Sequence, residues 1–203
     1  FVLHDFVART QAKAYHQQLR NLQPGQAMFV IDFSENFTFL RAFELQMEFF
    51  QKEGCTLFIG VLFRRRRADE PEPDDDDFVL PANVTAEVFV FVSDDKKHDK
   101  AAVQHFFEQA LPDFPKDLSV LHLWSDGARS HFKNGSQFAW LRKLARRLQF
   151  PVFWHFFQSC HGKGLQDGFG AWVKNHVCRA CMAGVEVDSA EEFFQWCVGH
   201  LTN

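Results

Sequence analysis

With 203 residues, 46% of them hydrophobic, the chain can bury a sizeable core as one domain or as a domain with an appendage. Five cysteines, an odd number, do not read as a secreted disulfide framework, and no apolar run approaches the roughly 18–20 residues of a membrane span. An intracellular setting without a membrane partner is expected, and a first residue of Phe rather than Met fits a fragment or processed chain.

Net charge is −4, which by itself argues against a nucleic-acid partner, but the charge is unevenly spread. Residues 1–125 carry 13 Lys or Arg against 20 acids, and residues 182–203 carry four acids and no base. Between them, residues 126–181 carry nine Lys or Arg and only two acids, Asp126 and Asp167. Two carboxylates in a positive field suit a site that handles a phosphate backbone through metal ions. Phenylalanine is abundant (26) and tyrosine nearly absent (1), which predicts a Phe-rich core.

In chain order, residues 3–19 read as an amphipathic helix closed by Pro24-Gly25, giving an N-terminal helix and linker over 1–25. Ala27–Asp32 is an apolar run ending in an acid, as in a central strand buried on both faces. Phe37–Ala42 and Cys55–Phe63 read as the next strands. Arg64–Asp77, RRRRADEPEPDDDD, reads as a charged loop (64–78) that cannot pack. Val84–Val92 is a further strand, and residues 99–110 a helix with Ala101, Ala102, Phe106 and Ala110 on its apolar side. Leu118–Trp124 is a buried strand that breaks at Ser125-Asp126-Gly127. A basic helix over 136–148 follows, with Phe138, Leu141, Leu144, Ala145 and Leu148 inward and Arg142, Lys143, Arg146 and Arg147 outward. Pro151–Phe157 is a short strand, residues 165–181 a helix with Asp167 in its first turn, and Ser189–Glu192 a capping box opening the last helix.

Strands first and strand–helix alternation afterwards predict an α/β fold: a mixed sheet, antiparallel meander then parallel strands, flanked by helices. Its core spans 26–183, and 184–203 is a C-terminal helix. Open α/β sheets place ligands at the carboxyl edge of their strands. Asp32 and Asp126 are expected at neighbouring strand ends, with Asp167 on the helix after the next strand. Three such carboxylates can hold two Mg²⁺ ions, which prefer hard oxygen ligands and serve in-line displacement at phosphorus. His161, Lys163 and the glycines around them, and His131, Lys133 and Asn134 after Asp126, suit contacts to DNA phosphates.

The blocks VIDFSENF, SDDKKHD, LWSDGARSHFKN and WHFFQSCHGKGLQDGFGAWVKN, in that order, resemble a group of eukaryotic transposon-encoded transposases. Those proteins carry DFSEN, SDG…Q-(F/Y)-KN and HGKG…CDG-(I/V)-GG-x-VK blocks on a ribonuclease H-like core of the Asp-Asp-Asp/Glu type. The resemblance covers about residues 27–180. It implies Asp32, Asp126 and Asp167 as catalytic metal ligands for two Mg²⁺ or Mn²⁺ ions. It also implies Lys133, Asn134 and Lys163 on the substrate side, and His131, His161 and Lys174 are substrate-binding candidates beside them. The partners it implies are transposon-end and target DNA in the nucleus; a homo-oligomer is compatible with the sequence, which does not fix the oligomeric state. The sequence departs from the pattern at His131, where Gln is usual, at Gln166, where Cys is usual, and at Ala171, where Gly is usual. A domesticated binding module without catalysis, or another ribonuclease H-like nuclease, are the alternatives.

Independently of that resemblance, Cys178-x-x-Cys181 and Cys197-x-x-His200 have the spacing of a structural zinc site, with His176 as a substitute ligand.

Overall fold

The computed structural model describes residues 2–39, 53–70, 80–158 and 164–201. The elements run α1 (Val2–Arg20), β1 (Gln26–Thr38), β2 (Gly54–Arg65), β3 (Val84–Ser93), α2 (Lys100–Ala110), a 3-10 turn (Leu111–Asp113), β4 (Val120–Ser125), α3 (Gly135–Leu148), β5 (Val152–Phe156), α4 (Leu165–Met182) and α5 (Ala190–Leu201). The five strands form one mixed sheet in the order β3-β2-β1-β4-β5, with antiparallel and parallel pairs and flanking helices, a ribonuclease H-like α/β arrangement. β1 pairs with β4 in parallel from Gln26↔Val120 to Val30↔Trp124, and β4 with β5 from Leu121↔Val152 to Ser125↔Phe156. A parallel neighbour needs a crossover connection, and α3 supplies it between β4 and β5.

By contact density the chain divides into two units that interleave along the sequence: residues 1–31, 60–89 and 99–163, and residues 32–59, 90–98 and 164–203. In the first, Ala27–Ile31 is buried throughout, as a strand covered on both faces requires. Its centre is Phe29, whose ring meets Phe89, Phe107 and Phe114 edge-on at 5.0–6.0 Å. Such pairs add to the roughly 1.5–3 kcal/mol that burying one Phe side chain contributes. α1 joins this unit through Tyr15, against Trp124 and Phe157, and through Gln18, which accepts from the Trp124 indole N–H at 2.6 Å. In the second unit Phe58 lies against Phe33 and Phe91, and Phe37 against the fully buried Phe193 of α5. The abundance of phenylalanine is thus a packing property of both cores.

Three sequence expectations change. β1 does not end at Asp32 but continues to Thr38, so Asp32 stands inside the strand and Phe37 belongs to the same strand rather than to a separate one; residues 40–42 lie outside the described residues. The polar stretch Ser34-Glu35-Asn36 stays extended because it finds partners. Asn36 Oδ1 accepts from Thr56 Oγ1 at 3.0 Å, and the Phe39 N–H donates to the Glu53 carbonyl at 3.1 Å. On α2 the buried positions are Val103, Phe106, Phe107 and Ala110, with Asp99 capping the helix by accepting from the Ala101 and Ala102 N–H groups. On α3 the buried positions are Gln137 and Leu144, and Phe138 is exposed, while Arg142, Lys143, Arg146 and Arg147 do face outward.

The charged run also departs from a plain solvated loop at its start. Arg64 and Arg65 close β2, and Arg64, only 15% exposed, binds Glu70 and Glu87 at 2.7–3.0 Å. The Arg64 guanidinium holds the Glu70 carboxyl down at about 2. Residues 71–77 lie outside the described residues.

Two outcomes follow from this packing. A Cβ at Gly60 would fall 2.4 Å from the Phe29 ring, so Gly60→Ala should lower stability by about 1–3 kcal/mol, read as a drop of several degrees in the melting temperature. Because Glu70 titrates below its ordinary value, the Arg64–Glu70 contribution should be complete above the ordinary glutamate range and fade as pH falls through about 2. Melting curves against pH should show that acid loss shrink in Glu70→Gln.

Candidate functional site

Asp126 is set by the strand before it. β4 ends at Ser125, whose buried hydroxyl donates to the Asp126 carbonyl at 2.9 Å and accepts from the Trp154 indole N–H at 3.0 Å. The chain then turns: Asp126 Oδ1 accepts from the Ala128 N–H at 3.1 Å, and the Ala128 carbonyl accepts from both Phe132 and Lys133 N–H at 2.9 Å. This local turn chemistry is what an Asp-Gly after a strand provides. It leaves the Asp126 side chain 38% exposed, with His131 Nε2 3.9 Å from its Oδ1. Asp126 stands one residue past the end of β4, whereas Asp32 lies inside β1.

The residues expected to meet substrate take different places. Phe132 is fully buried and anchors the turn, while Lys133 is exposed with its Nζ 5.2 Å from the centre of the Phe156 ring. Asn134 is the N-cap of α3: its Oδ1 accepts from the Gln137 N–H at 3.0 Å and its Nδ2 donates to the Arg129 carbonyl at 3.1 Å. Both ends of the Asn134 amide therefore hold the protein together. His131 Nδ1 lies 2.9 Å from Ser130 Oγ. His161 and Lys163 lie outside the described residues.

Asp167 stands exposed in the first turn of α4, where its Oδ2 accepts from the Gly164 N–H at 3.1 Å, an arrangement the helix dipole favours. α4 lies against β1 through two anchors. A Cβ at Gly170 would fall 2.7 Å from Ser34 Oγ, and Lys174 Nζ donates to the Glu35 carbonyl at 3.0 Å. The glycine that permits this close approach belongs to the block that carries Asp167, and Ser34 to the strand that carries Asp32. Lys174, expected on the substrate side, is the second anchor.

One residue of this region escaped sequence reading. Gln137 is fully buried between α2 and the turn after β4: its Nε2 donates to the carbonyls of His131 at 2.6 Å and Lys100 at 3.3 Å, and its Oε1 accepts from Gln104 Nε2 at 2.8 Å. A polar residue on the buried line of an otherwise apolar helix face was the available signal. A second group, in the other unit, is His98, stacked on Phe33 at 4.3 Å with its Nε2 2.7 Å from Asn36 Oδ1.

Among the described residues no three His, Cys, Asp or Glu side chains gather as metal ligands, which holds for Cys178, Cys181, Cys197 and His200 and equally for Asp32, Asp126 and Asp167. His200 turns its Nδ1 to the Trp196 carbonyl and stacks on that ring, and His176 does the same with Trp172. Burial pushes the Cys197 thiol up to about 11 and raises Cys181 as well.

A family model described as a domain of unknown function (DUF8701) matches residues 11–203. The chain belongs to this family. No curated protein matches the sequence. The match takes in all five strands and four whole helices of this DUF8701 member, together with Asp32, Asp126 and Asp167. No helix among the described residues is long and apolar enough to cross a membrane.

Gln137 is the structural keystone of the turn that bears Asp126. Replacing it by Leu strands the His131 and Lys100 carbonyls and Gln104, and should cost about 1–3 kcal/mol by chemical denaturation.

Proposed function

We propose that the chain is the catalytic core of a DNA transposase, cleaving and joining DNA strands by in-line attack on phosphodiesters. The observation that carries this reading is the turn after β4, which leaves the Asp126 carboxylate 38% exposed beside His131 in a segment that also exposes Arg129 and Lys133. Gly170 and Lys174, on the helix that opens with Asp167, hold α4 against Ser34 and Glu35 of the strand that bears Asp32. The sequence blocks that resemble transposases carry these same three acids. Their donor set fits the metal: hard carboxylate oxygens, with Asp126 and Asp167 each committing one oxygen to a local backbone N–H. Asp32, Asp126 and Asp167 would hold Mg²⁺ or Mn²⁺, which when bound supplies positive charge at the scissile phosphate.

The chain's own residues do the rest. Lys133, Arg129 and the outward Arg142, Lys143 and Arg146 of α3 offer exposed cations to a phosphate backbone without reading its sequence. His131, 3.9 Å from Asp126, holds a titratable ring beside that carboxylate. Asn134 and Gln137 keep the turn in shape.

The test supplies a pre-cut DNA end, target DNA and Mg²⁺ or Mn²⁺. Joined product is the expected result; degradation alone indicates a nuclease of the same fold, and retention on DNA without either indicates a binding module. Asp126→Asn should reduce metal-dependent nicking and joining to background while the melting temperature stays within a few degrees of the parent. Full activity in that variant rules the mechanism out.

A further inference from the structure

His122 on β4 and His155 on β5 stand side by side on one face of two parallel strands, because the register pairs Trp124 with His155 and His122 with Phe153. The His122 Nδ1 and His155 Nε2 atoms are 3.1 Å apart, a hydrogen bond between rings whose centres are 5.3 Å apart, so a tilt of the two rings is what turns both nitrogens onto one ion. Each ring is held by an aromatic neighbour: His122 stacks on Phe153 at 5.3 Å and His155 on Trp124 at 4.8 Å. Trp124 is itself fixed by its bond to Gln18. β5 is the edge strand, and Phe153 beside the pair is 48% exposed, so the rings are stacked yet open to solvent.

Two imidazole nitrogens on one ion, each roughly 2.0–2.1 Å from it, lie roughly 2.9 Å apart at a right angle and roughly 3.4 Å apart at the tetrahedral angle. The observed separation falls between these limits. We propose that His122 and His155 form a two-imidazole site for a borderline transition-metal ion of the Zn²⁺ or Cu²⁺ class, with water completing the coordination. The site is distinct in chemistry from the three aspartates: nitrogen donors select these ions, whereas carboxylate oxygens suit Mg²⁺ and Mn²⁺. It does not depend on the proposed DNA chemistry.

The state of the rings agrees. Burial, with the neighbouring His155 second, pushes His122 down to about 4, and burial lowers His155 too. Both rings are therefore neutral near pH 7, the form that ligates metal without first losing a proton.

The experiment titrates the full chain with Zn²⁺ alone, in a non-chelating buffer with excess Mg²⁺, and follows the imidazole ¹⁵N resonances and the binding isotherm. His122→Phe and His155→Phe delete a ligand while keeping an aromatic ring in the stack, and His105→Phe, on an exposed position of α2, serves as control. The expected result is that the His122 and His155 ring nitrogens move together on zinc addition, and that either variant weakens this step by about tenfold or more while the control does not. Zinc taken up elsewhere, for example by cysteine thiols, would leave these two rings unmoved. Unmoved rings, or variants that bind as the parent does, overturn the proposal.

Discussion

The parallel pairing of β1 with β4 is the constraint on which the rest depends. Ala27–Ile31 is buried along its whole length, so its backbone groups have no water to turn to and must be satisfied by neighbouring strands. Because side chains alternate with a period of exactly two, a slip of one residue would turn Phe29 away from Phe89, Phe107 and Phe114. The register that saves this cluster is the same one that aligns Val30 with Trp124, just before the turn that bears Asp126.

The polar groups around the turn after β4 show how a surface segment is held without a hydrophobic anchor of its own beyond Phe132. Ser125 bonds Trp154, Asp126 bonds the Ala128 amide, Asn134 caps α3, and Gln137 collects carbonyls from two segments. Each bond contributes only about 0.5–1.5 kcal/mol net, but leaving its partner buried and unmet costs more, so the set is mutually enforcing. A turn determined this closely can present the Asp126 carboxylate in one orientation, which is what ion binding asks of a ligand.

Two kinds of candidate donor lie apart in this chain. Hard oxygens follow β4 and open α4, while the imidazole pair sits on the edge-strand face, fixed by stacking rather than by turns. Oxygen and nitrogen donors sort metals by softness, so the two places need not compete.

Much of this was legible in the order of residues. Apolar runs bounded by Gly, Pro and Asp marked β4, β5, α2 and α4 to within a residue or two, because strand and helix periods are local properties of the chain. The Asp-Gly break placed Asp126 just past a strand, and the glycine block placed Asp167 in a first helical turn. Tertiary structure decided the rest. Whether Ser34–Asn36 would break β1 or continue it turned on Thr56, twenty residues away, and whether Arg64 would sit in solvent turned on Glu87, twenty-three away. Gln137 had to meet the Lys100 carbonyl, and His122 had to meet His155, before either carried meaning. Sequence encodes what each segment prefers by itself; the partners of a buried polar group are chosen by the fold, because only the closed chain removes the water that would otherwise satisfy it.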